Sequence, residues 1–152
     1  MTSFADVRER FWRESIDFTE TKTFLLGLLQ AGIATIEFAL IFVVVAGTRL
    51  VPLSAVNTRP SSVVVAVSLG LVPGFVLGAG LPLLVQYSEY VNRLNDNKAF
   101  RAVGPVVTFG TYFCLFFYHP VTSVLYAVAY LLGRIAVLVG IFGGSQLKSA
   151  IA

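Results

Sequence analysis

The residues most capable of chemistry are two charges placed where charge is costly. Glu37 stands inside one apolar run, 23–47, and Arg134 inside another, 121–147. A carboxyl or guanidinium group at such depth marks a buried partner, a proton relay or a ligand site. Glu37 lies 14 residues past Thr23, and Arg134 lies 14 residues before Lys148. At about 1.5 Å per residue both are about 21 Å from the ends carrying Thr23 and Lys148. They are therefore expected to meet as an intramembrane charge pair, the arginine offering two parallel hydrogen bonds. The bland alternative leaves Glu37 protonated and Arg134 bonded to backbone carbonyls. His119 and Cys114 are the sole histidine and cysteine. One of each gives neither a zinc constellation nor an internal disulfide, so no metal is expected. His119 precedes Pro120 and reads as a turn residue, with a proton-donor role as the alternative.

The composition says what must position these charges. The 152 residues are 57% hydrophobic and 12% charged, with mean hydropathy +0.83. A soluble domain carries about 25% charged residues. The expected fold is an all-α integral membrane four-helix bundle in contact with lipid, with spans at about 23–47, 63–87, 102–118 and 121–147. Residues 1–22 place Phe4, Val7, Phe11 and Phe18 on one face against a charged one. This predicts an amphipathic helix lying in the membrane interface or on a partner. The net charge of +3 needs no nucleic acid to explain it.

Small residues predict how the spans pack. Gly70, Gly74 and Gly78 form GxxxGxxxG, and Ala136, Gly140 and Gly144 repeat the spacing. Such faces let two helix backbones approach closely, within one chain or between chains. Pro73 and Pro82 are expected to kink the second span or end it early. Gly104-Pro105 reads as the start of the third. The polar stretch 88–101 reads as a turn; Arg93 and Asn97 share a face if it is helical. Arg8, Arg10, Arg13, Lys22, Arg93, Lys98, Arg101 and Lys148 fall on one side of such a bundle, against Arg49 and Arg59 on the other. Both termini are thus expected on the cytoplasm-like side.

Residues 90–150 resemble the MAPEG family of membrane proteins of eicosanoid and glutathione metabolism. The resemblance is nearest to its type 3 microsomal glutathione transferases and secondarily to leukotriene C4 synthase. His119-Pro120, Gly133-Arg134, Gly140, Gly144 and Lys148 match the third helix of that family without a gap. Arg93 and Asn97 match its Arg-x-x-x-Asn. The resemblance implies a trimer of four-helix subunits binding glutathione between neighbours. It implies Arg93 and Asn97 as glutathione ligands and Lys148 as the basic residue that polarises the thiol, a cation favouring thiolate. The chain departs at the tyrosine positions, which read Val137 and Ile141, and at the glutamate position, which reads Phe100. The family also places a helix after the matched stretch. Here an extra span, 23–47, stands in front instead, and is expected to fill that place.

The expected function is a non-catalytic MAPEG-like subunit packed within a larger membrane complex, such as a respiratory-chain complex, or self-associated. On that reading no cofactor is needed. One alternative is a glutathione-dependent transferase or peroxidase acting on lipophilic substrates. The other is a small transporter or proton-conducting subunit built on Glu37 and Arg134. The setting is the mitochondrial inner membrane or the endoplasmic reticulum, between which the sequence does not choose.

Overall fold

The chain is an all-α membrane bundle. The computed structural model describes residues 16–48 and 60–152. Among the described residues five helices follow in order: α1 (Thr21–Gly47), α2 (Pro60–Tyr87), α3 (Glu89–Leu94), α4 (Lys98–Tyr118) and α5 (Pro120–Ile151). All but α3 are long and apolar enough to cross a membrane. The expected N-terminal amphipathic helix falls, up to residue 15, outside the described residues. Its described end, 16–20, forms a turn and not helix.

Several boundaries differ from the sequence expectation, each for a local reason. α2 runs unbroken through Pro73 and Pro82. Inside a bundle, neighbouring helices tolerate the freed carbonyls that would end a helix in water. The third span begins at Lys98, and Pro105 lies inside it. Asn97 sets that start, because its side-chain oxygen accepts the Ala99 N–H at 2.9 Å, as asparagine favours at an N-cap. The stretch 88–101 is thus no simple turn. It holds α3, capped by Ser88 Oγ accepting from Val91 N, and then the first turn of α4. His119 does join two spans. Its extended backbone (φ −163°, ψ 119°) breaks the helix, and Pro120 starts the next, as proline favours at the first helical position.

α5 is the hub. α2 runs parallel to it and makes the most extensive contact in the bundle. Gly70, Gly74 and Gly78 set that contact. A Cβ built on Gly70 would fall 2.6 Å from the Thr122 carbonyl oxygen. On Gly74 and Gly78 it would overlap the carbonyls of Tyr126 and Tyr130. Gly133 of α5 returns the approach, its Cβ position lying 3.0 Å from the Phe75 carbonyl. Two backbones meet here with no side chain between them.

The other side of α5 is packed by rings. Phe38 of α1 meets Phe109, Tyr112, Tyr126 and Tyr130, at centroid distances of 4.9, 4.8, 6.4 and 5.7 Å. The tilted and edge-on geometries suit the ring quadrupoles. Hydroxyl bonds tie the same helices. Tyr112 Oη donates to the Phe38 carbonyl at 3.3 Å, joining α4 to α1. Tyr126 Oη donates to the Thr108 carbonyl at 3.1 Å, joining α5 to α4. With no hydrophobic drive between helices in lipid, packing and interhelical hydrogen bonds are what remain.

The turn before α1 is clasped to the end of α2. Gln86 Oε1 accepts from Phe18 N at 2.9 Å, and Gln86 Nε2 donates to Asp17 Oδ1 at 3.0 Å. Thr19 donates its N–H and its hydroxyl to the same oxygen. Ile16 and Phe18 then bury against Leu138. The Gln86 bond first, and then those from Thr19, hold the Asp17 carboxyl below its ordinary pKa. The folded state therefore prefers the ionised form. Its stabilisation is present above the unfolded pKa of about 3.9 and is lost as pH falls through the lowered value. Asp17→Asn should melt below wild type at neutral pH, and the gap should shrink as pH falls below about 4. Melting curves of both proteins between pH 7 and pH 3 check this. A gap independent of pH would show that the carboxylate charge contributes nothing.

Candidate functional site

One polar cluster inside the bundle lies on α5 where it meets α1. These helices run antiparallel: Phe24 stacks on Phe142 at 4.4 Å, Gly27 lies against Leu138, and Gln30 reaches Arg134. Arg134 Nη2 donates to Gln30 Oε1 at 2.7 Å, and Nη1 donates to Tyr130 Oη at 3.0 Å. Its Nε is buried and unpartnered among the described residues.

The expected Glu37–Arg134 pair does not form, and register explains why. Arg134 stands level with Gln30, and Glu37 lies seven residues further along α1. That is a separation of about 10 Å along the helix, too far for a direct bond. The estimate of equal depth fails at Lys148. Phe142 already lies beside Phe24, so Lys148 stands past the beginning of α1. Glu37 is half-buried and has no hydrogen bond or ion pair among the described residues.

The residues matched to glutathione binding do not form one helical face. Arg93 is in α3 and faces out, within 3.9 Å of Glu89, both side chains mostly exposed. Asn97 belongs to the next element, as the cap of α4. Residues 95–97 turn the chain between them, with Asn95 buried. Lys148 is exposed in the last turn of α5. Val137 and Ile141 are half-buried, and Ile141 packs beside the Ile16, Phe18 and Leu138 cluster.

The two glycine stripes have different fates. Gly70, Gly74 and Gly78 are filled by α5. Gly140 and Gly144 are exposed, and a Cβ on either would meet nothing within 4 Å. Ala136 is exposed beside them. Beside the filled stripe, Leu71, Phe75, Val76, Val128 and Leu132 line an open apolar groove on the outside of the α2–α5 pair. It offers no polar group to a ligand and suits hydrocarbon chains.

Sequence reasoning passed over two members of the arginine cluster. Tyr130 is four residues before Arg134, on the same helical face, and that spacing could have found it. Gln30 was visible as a polar residue in an apolar span; only the register of α1 on α5 makes it the partner.

No curated protein and no solved structure matches the chain. One family model covers residues 1–152 from end to end, described as a domain of unknown function. On that match, the chain belongs to the DUF8100 family.

Proposed function

We propose that this chain is a non-catalytic membrane subunit that joins other membrane helices through the outward face of α5. One observation carries the reading: of two small-residue stripes with the same spacing, one is filled within the chain while Ala136, Gly140 and Gly144 stand open. An open small-residue face on a membrane helix allows a second backbone the close approach that α2 makes to α5. The partner is a further copy, as a MAPEG-like trimer requires, or another subunit of a larger assembly such as a respiratory-chain complex.

The reading gains support from what the alternatives need. Glutathione is a charged tripeptide and requires several polar groups in place. Arg93, Asn97 and Lys148 lie in separate elements, and the tyrosine positions hold Val137 and Ile141. A proton path through Glu37 and Arg134 requires them joined, and they lie about 10 Å apart in level. The MAPEG resemblance then fits as shared ancestry without retained thiol chemistry.

The double substitution Gly140→Leu/Gly144→Leu tests this. It should leave melting within about 1 kcal/mol of wild type, because lipid-facing leucine costs a helix little. It should abolish the assembly seen by crosslinking in native membranes. Crosslinking that matches wild type would overturn the proposal.

A further inference from the structure

Among the described residues, Arg134 has hydrogen-bond partners but no counter-charge. Both partners, Gln30 and Tyr130, are neutral groups. An arginine carries five N–H donors. Two are used, and the buried Nε is left without an acceptor among the described residues. The partners add donors. Tyr130 Oη accepts from Arg134, and its own proton goes to no acceptor among the described residues. The amide nitrogen of Gln30 is equally unused. The cluster is therefore positive, rich in donors and short of acceptors, and Arg134 is only half-buried.

Its depth narrows what can complete it. Gln30 lies eight residues past Lys22, so the cluster sits about 12 Å inside the membrane from the end of α1 that carries Lys22. Arg134 cannot escape to that surface. Its bond to Tyr130, four residues back, directs the side chain toward the start of α5, away from the Lys22 end. Long basic side chains near helix ends reach the interface; this one is turned inward. An uncompensated cation at that depth is costly, so a paired acceptor is favoured.

We infer that Arg134 binds a carboxylate carried on a transmembrane helix of a partner protein. This rests on the reading of the chain as a membrane subunit and names the chemistry of its partner. A helix can hold an aspartate or glutamate about 12 Å deep, whereas the carboxylate of a membrane lipid stays near the interface. A second copy inserted in the same direction does not supply the group. Its Glu37 stands two turns away in level, as the chain's own does. A carboxylate accepts the remaining Nη hydrogens of the half-buried guanidinium, with the Gln30 amide donating beside them.

The test uses the full chain in lipid vesicles and a poly-leucine spanning peptide with one aspartate level with Gln30. Two further peptides carry leucine at that position or the aspartate seven residues further along. Energy transfer between labelled chain and labelled peptide reads association. The matched aspartate peptide should bind at least tenfold tighter than either control. Arg134→Gln should bring it down to the leucine level, and Arg134→Lys should keep part of the preference. If Arg134→Gln does not fold, the depth comparison with wild type still decides. Equal binding of the three peptides overturns the inference, as does a preference that survives in folded Arg134→Gln. Two other results also overturn it: displacement of the peptide by equimolar oleate, which makes the site one for a lipid carboxylate, and self-association lost in both Glu37→Gln and Arg134→Gln, which makes the occupant a second copy. Assembly in native membranes that is indifferent to Arg134 overturns this inference alone and leaves the proposed function standing.

Discussion

Gly78→Ala should lose about 2–3 kcal/mol of stability, and Gly78→Leu should not reach the native bundle. The added Cβ falls on the Tyr130 carbonyl, which is backbone and cannot swing aside. Relief requires α2 to move off α5, and that movement opens Gly70 and Gly74 as well. The comparison that isolates the effect is two residues away. Gly80 has nothing within 4 Å of its Cβ position. Gly80→Ala should be neutral or stabilising by up to about 1 kcal/mol, because alanine is the better helix former. Thermal melting in mild detergent, followed by circular dichroism, checks both. Equal melting of the two alanine variants would mean that the glycine face is not in contact.

The second large effect belongs to Phe38. It buries against four rings from α4 and α5 and is 4% exposed. Phe38→Ala should cost about 3–5 kcal/mol, the range for removing a buried ring and leaving its cavity. It also removes support from the backbone carbonyl that receives the Tyr112 hydroxyl. Leu40, two residues on, is 59% exposed, and Leu40→Ala should cost less than about 1 kcal/mol because lipid replaces what is removed. A Phe38→Ala protein that melts with Leu40→Ala would place the bundle's cohesion elsewhere.

How much of this was legible in the sequence depended on the physical question. Span number and order follow from the length of the apolar runs, and the four candidate spans fall on those runs. Close packing at Gly70, Gly74 and Gly78 follows from small residues every fourth position. The same spacing at Gly140 and Gly144 carries the same signal, however, and only the neighbouring backbones separate a filled face from an open one. Depth was the least legible quantity. Lys148 served as a marker of the membrane surface, but α5 continues to Ile151 and overshoots the start of α1. An error of two helical turns then paired Arg134 with the wrong residue of α1. Arg93 and Asn97 illustrate a local misreading. Spacing four apart places them together only within one helix, and asparagine's preference for the N-cap position ends that assumption.

We propose that this membrane bundle is a subunit and that the open face of α5 is where it joins its neighbours. Native mass spectrometry of the wild-type chain, extracted from its own membrane with lipid retained, tests that most directly. The predicted result is a complex of fixed stoichiometry, with copies of itself or with another membrane chain, reduced to the 16.4 kDa chain by Gly140→Leu/Gly144→Leu. A wild-type chain recovered only at 16.4 kDa, with lipid bound and no protein partner, would contradict it.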